Sequence, residues 1–163
     1  DLNEMKNILF LPFFTGIGSP HWVAEANAAI LGITRGTSNS HLARACLEGI
    51  ALSINDLINA IKIDTGLEIN ELKVDGGAVQ NNLLMEIQAD LSQLIIQRPQ
   101  IIETTAYGAT LAAAVGLKLI TISEIKNLWK QDAEFINSND NSKYFQSKER
   151  LWQESIKKLF LQT

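Results

Sequence analysis

The chain has 163 residues, a net charge of −4 and no basic cluster, a balance that argues against a surface built to track nucleic-acid phosphates. One cysteine, Cys46, excludes an internal disulfide, and with two histidines it leaves too few ligands of the usual kind for a structural zinc site. Apolar runs are short, the longest near residues 110–120 and well below the roughly 20 residues of a spanning helix, so a soluble, reduced, cytoplasmic protein is expected with no membrane partner.

The chain opens on Asp1 rather than Met, without a leading signal or transit segment, and reads as one domain from a longer polypeptide. Residues 7–12 form a short apolar stretch, read as a strand stopped by Pro12. Residues 13–39, rich in Gly, Ser and Thr and containing Pro20, read as irregular, with Trp22 anchoring the loop to the core. Ser19 has no His and Asp arrangement beside it, so a nucleophilic triad finds no support. Arg35 is expected in a structural ion pair rather than on a phosphate. From about Ser40 to Lys62 the positions Leu47, Ile50, Ile54, Leu57 and Ile61 recur at helical spacing. That predicts the core face of a long amphipathic helix, capped by Ser38, Asn39 or Ser40, with Gly66 just beyond its end. His41 is expected to cap or pack at its start, and Glu48 and Asp56 to project into solvent.

A strand over residues 69–74 then runs into Gly76-Gly77, and a helix follows from about Gln80 with Leu84, Ile87 and Leu91 inward. Residues 94–98 read as a further strand, cut off by Pro99. Thr104 or Thr105 caps a helix dense in small residues, expected to pack closely on a sheet. Residues 137–142 read as a mobile polar linker. The last helix starts near Ser147 and carries Leu151, Trp152, Ile156, Leu159 and Phe160 as its apolar stripe. This alternation predicts an α/β fold whose strands near 7–12, 70–75 and 94–98 join one central sheet, with the helices at 40–62, 80–91 and 105–117 packed against it. A sheet edge or apolar face should be left exposed or covered by another chain.

The strongest local signal is Val74-Asp75-Gly76-Gly77-Ala78-Val79-Gln80-Asn81-Asn82. Two glycines without Cβ let the backbone turn sharply and lie against a ligand. The helix start beyond them offers unpaired N–H groups and a positive dipole end, which favour a phosphate. The amide of Asn81 can both donate and accept toward a purine or a ribose. Taken alone, an Asp-Gly-Gly is more often a plain strand-to-helix connection that uses glycine for its geometry.

Its neighbours point further. Phe14-Thr15-Gly16-Ile17-Gly18-Ser19-Pro20 with Trp22, Gly32-Ile33-Thr34-Arg35-Gly36-Thr37 and Arg44-Ala45-Cys46-Leu47-Glu48 precede the turn. Asp64-Thr65-Gly66 leads into it, and Gln88-Ala89-Asp90, Arg98-Pro99 and Glu103-Thr104-Thr105-Ala106 follow. In order and spacing this series resembles the C-terminal part of the FGGY carbohydrate kinases, their glycerol kinase branch above all, over roughly residues 11–116. The tail after about residue 120 resembles it only loosely.

The resemblance implies transfer of the γ-phosphoryl of ATP, with Mg2+, to a hydroxyl of glycerol or a related polyol. It also implies an actin-like (ribonuclease H-like) ATPase domain, a mixed sheet flanked by helices, of which residues 1–163 are an incomplete C-terminal portion beginning inside the second such domain. Gly77 matches a residue contacting the nucleotide phosphates and Asn81 one near the nucleoside, while Asp75, Gly76 and Ala78 shape the same turn. The proton-accepting carboxylate and the polyol-binding groups of the family lie upstream. No catalytic residue or metal ligand is therefore assigned here, and the fragment alone is expected to be inactive. Its partner is the N-terminal half of the same kinase, and a homo-oligomer stays open. The chain departs from the family at Val23, Asn27 and Ala28, where Asp and an Arg-Gly pair are usual, and at His21, Cys46 and Tyr107. These differences keep another FGGY sugar or polyol kinase open, and so does a nucleotide-binding or structural module without turnover.

Overall fold

The structure, a computed structural model, describes residues 2–161. Its longest helix follows from its ends inward. Ser38 Oγ accepts the His41 amide at 3.3 Å, and the Ser38 amide donates to His41 Nδ1 at 3.2 Å, so a reciprocal capping box opens the helix. With Nδ1 accepting, the ring proton sits on Nε2, 3.2 Å from Glu4 Oε2. Gly66 in the left-handed region ends the helix. In chain order the elements are α1 (Leu2–Met5), β1 (Leu9–Leu11), β2 (Ala29–Leu31), α2 (Asn39–Thr65), β3 (Glu71–Lys73), a 3-10 turn (Gly77–Gln80) and α3 (Asn82–Ser92). Then come β4 (Ile95–Pro99), α4 (Thr104–Gly116), α5 (Ile122–Ile125), β5 (Gln131–Phe135) and α6 (Ser142–Phe160).

The class is α/β, with a mixed sheet flanked by helices, but the strands divide into two sheets rather than one. β1 pairs antiparallel with β2, Leu9 opposite Leu31. β3 runs parallel to β4, Leu72 opposite Ile96, and β5 lies antiparallel on the other side of β4, Ile96 opposite Phe135. β2 and β5 escaped the sequence reading. The first is three residues inside a Gly- and Ala-rich stretch, and the second, Gln-Asp-Ala-Glu-Phe, is mostly polar. β3 is an edge strand among the described residues.

α2 buries Ala45, Gly49, Ala51, Leu52 and Ile58, not the predicted stripe. The reason is close approach: a Cβ at Gly49 would lie 2.4 Å from the Phe10 carbonyl oxygen, so the helix seats its small residues on the β1 backbone. Ile50, Ile54, Leu57 and Ile61 remain about two-fifths exposed, lining a groove of about 370 Å³ with Leu72, Val74 and Met85. α3 does bury Leu84, Ile87 and Leu91 as predicted.

Glu48 and Asp56, expected in solvent, are buried. Both Glu48 oxygens accept from the Tyr144 hydroxyl, at 2.7 and 2.8 Å; Arg44 Nε lies 2.8 Å and Lys148 Nζ 3.1 Å away. Lys148, fully buried, also donates to the Ile8 carbonyl. Burial pushes the Lys148 ammonium below its ordinary value and, with the Glu48 charge, pushes the Tyr144 phenol far up. Asp56 accepts from Trp152 Nε1 at 2.7 Å, from Gln153 and from His21 Nε2 at 3.3 Å. These paired acids tie α2 to α6, where removing one partner of a buried ion pair typically costs about 3–5 kcal/mol. Phe13 packs edge-on against Trp152 and Phe160, with ring centroids 5.4 and 5.7 Å apart.

Other expectations are corrected. Trp22 is 78 % exposed, with φ 54°, and anchors nothing to the core. Arg35 is exposed and makes no ion pair among the described residues. α4 buries no residue, so its small-residue surface packs on no sheet here, and Glu103 rather than a threonine precedes it as the cap. The stretch at 137–142 is held rather than loose. Asp90 accepts from the Ser138 amide at 2.8 Å and from Asn141 Nδ2 at 3.0 Å. The last helix begins at Ser142, one turn earlier than predicted. No helix among the described residues is long and apolar enough to cross a membrane.

A candidate nucleotide-binding turn

β3 delivers the chain to Asp75, and Gly76 turns it. Gly76 has φ 82° and ψ 173°, a conformation that side chains with a Cβ rarely adopt. Its amide donates to the Ile102 carbonyl at 2.8 Å, and Asp75 accepts from the Thr104 hydroxyl at the start of α4. The loop after β4 thus braces the turn from one side. Gly77 lies outside the left-handed region, and a Cβ built on Gly76 or Gly77 meets nothing within 4 Å. Asp75, Gly77, Ala78 and Asn81 are all exposed, and Asp75 and Ala78 also rim the groove along α2. The five residues singled out from sequence therefore lie together on one turn, exposed except at the half-buried Gly76.

Two details differ from the sequence reading. A 3-10 turn, not an α-helix, follows the glycines, closed by the Val79 amide on the Gly76 carbonyl at 3.3 Å. Asn81 is accordingly not one turn into a helix but the N-cap of α3, its Oδ1 accepting the Leu84 amide at 3.1 Å. The N-terminus of α3 is thereby capped and set apart from Gly77 by the 3-10 residues. What remains for an anion is the turn itself, whose first N–H groups have no partner within it, together with the two donors of the Asn81 amide.

Arg98 was not singled out. Its Nη1 donates to the Val79 carbonyl at 2.9 Å and to Asn82 Oδ1 at 2.8 Å, and its Nε to Asp132 Oδ2 at 2.8 Å. The only trace in sequence is an Arg-Pro at a strand end. Among the described residues no group of three or more His, Cys, Asp or Glu is arranged to hold a metal ion.

Comparison with known proteins agrees with this architecture. Residues 3–117 match the model of the FGGY family of carbohydrate kinases, C-terminal domain. A glycerol kinase of Thermus brockianus is 41 % identical over 135 residues, 83 % of this chain and 27 % of that protein. One of Saccharolobus islandicus strain M.14.25 is 41 % identical over 158 residues, 96 % of this chain and 31 % of that protein. The chain thus spans under a third of the length of these curated relatives. A glycerol kinase from Plasmodium falciparum, solved with ADP, superposes with a TM-score of 0.80 at 30 % identity, covering 99 % of this chain and 34 % of that one. The exposed glycine turn after β3 sits inside the matched region, and this chain belongs to the FGGY family of carbohydrate kinases, as a C-terminal domain of that family.

Proposed function

We propose that the chain is the nucleotide-binding part of an ATP-dependent glycerol kinase, converting ATP and glycerol to ADP and glycerol 3-phosphate in the cytoplasm. The observation that carries this is the 41 % identity to glycerol kinases over 83 % and 96 % of the chain. The neighbour solved with ADP supports a nucleotide on this fold. At the site, the open space over Gly76 and Gly77 suits a phosphate and would be filled by any side chain. The turn's N–H groups then hold the phosphate oxygens, the Asn81 amide faces the adenosine, and Asp75 and Ala78 fix the turn's course. When bound, Mg2+ would supply charge neutralisation at the phosphates; no ligand for it is identified in this chain, and the proton-accepting carboxylate and most of the polyol site belong to the remainder of the kinase. The chain's own contribution is positioning.

The full-length kinase assayed on glycerol, xylulose and gluconate with ATP tests the reading. Glycerol should give the highest kcat/KM, and the 163-residue chain alone no turnover above a blank. Preference for another polyol would overturn the substrate and leave the family. Turnover by the chain alone would overturn the assignment of the missing groups to the upstream part.

A further inference from the structure

We infer that Arg98 is a positioning residue for the nucleotide turn, and that the late strand β5 shares in this through Asp132. The inference rests on the turn being the nucleotide site. Arg98 lies on β4, the middle strand of its sheet, with its side chain 14 % exposed. Its guanidinium reaches three elements at once: the Val79 carbonyl inside the 3-10 turn, the Asn82 side chain at the start of α3, and Asp132 on β5. Phe135 of β5 lies beneath the guanidinium, 5.4 Å from ring centroid to carbon. The β4–β5 register breaks between Arg98 and Pro99, and such irregularities re-aim a side chain out of the ladder.

Val79 is buried and its amide closes the turn on the Gly76 carbonyl, so a bond to the Val79 carbonyl braces the glycine turn from the side opposite its own closure. A planar guanidinium can hold a carbonyl on one edge and a carboxylate on another in set directions, which a lysine ammonium cannot reproduce. Asp132 accepts from Nε and so orients the plane whose other nitrogen holds the turn. β5 lies beyond residues 3–117, the stretch that the family model matches. Part of the support of the nucleotide turn is therefore contributed by the tail.

The test compares full-length kinase carrying Arg98→Lys, Asp132→Asn or Gly77→Val with wild type, reading ADP affinity by calorimetry, KM for ATP and for glycerol, and thermal midpoint. Arg98→Lys should weaken ADP about fivefold or more and raise the ATP KM by a similar factor, with the glycerol KM within about twofold. Asp132→Asn should move the same constants in the same direction by less. A lowered thermal midpoint with wild-type ADP affinity and both KM values unchanged would mean a purely structural arginine and overturn the inference. If Gly77→Val weakens ADP while neither Arg98→Lys nor Asp132→Asn does, the positioning role alone fails. If Gly77→Val leaves ADP binding intact, the nucleotide reading fails and takes this inference with it. Should Arg98→Lys not fold, Asp132→Asn at its half-exposed carboxylate carries the comparison, and wild-type ADP affinity there is the overturning result.

Discussion

At the residue scale, Asn81 serves two roles that substitution can separate. Its Oδ1 caps α3, and under the proposal its amide donors serve the adenosine. Asn81→Ala should cost about 1 kcal/mol of stability as well as nucleotide affinity, whereas Asn81→Ser keeps a capping oxygen and should lose affinity alone. Thermal melts beside ADP titrations distinguish the two variants; equal loss of stability in both would deny the separation. Glu149 offers a second case. Burial, with the neighbouring Asp56 charge, raises its carboxyl above the ordinary 4.5, against the lowering effect of the Asn55 hydrogen bond. A raised folded pKa means the folded state binds the proton more tightly, so its contribution is present below 4.5 and lost as pH rises through the folded pKa. Glu149→Gln should therefore raise the thermal midpoint at neutral pH, with the gain vanishing below pH 4.5; a gain independent of pH would refute this cause.

At the scale of elements, those with local signals were legible: α2 from its cap and Gly66, α3 from its apolar spacing, and β3 with its glycine turn from the abrupt change of pattern. What was not legible depends on partners distant in sequence. Glu48 and Asp56 looked like surface charges because Tyr144, Lys148 and Trp152 stand nearly a hundred positions away on α6. β5 carries too little apolar content to announce a strand, and its place is set by pairing with β4. The candidate turn was legible as a glycine turn after β3 but not in its local form, since nothing in Gly77–Gln80 distinguishes a 3-10 turn from the first turn of an α-helix. The misplaced face of α2 has another cause. The periodic stripe is real, yet the helix meets β1 through Gly49 and alanines, leaving the larger residues toward the groove. α4, with no buried residue, should exchange its amide hydrogens quickly in the isolated chain and slowly in the full-length kinase. Equal, slow exchange in both would show that α4 needs no further cover.

For the whole molecule, the exposed stripe of α2, the edge of β3 and the uncovered α4 describe a domain whose apolar surface is incomplete by itself. This accords with a chain spanning under a third of its relatives' length, 27 % and 31 % in the two compared. The buried acids of α2 tie it to α6, and Asp75 and Ala78 of the glycine turn rim the groove lined by the exposed stripe of α2. Whether this turn receives the nucleotide phosphates, as proposed, is tested most directly by ADP calorimetry on full-length Gly77→Val. The space around Gly77 admits a side chain and its φ is not left-handed, so the fold should persist while the branched group blocks phosphate approach. ADP affinity should fall at least about tenfold, about 1.4 kcal/mol, with an unchanged melt; wild-type affinity in a folded Gly77→Val protein would mean that the turn does not receive the phosphates.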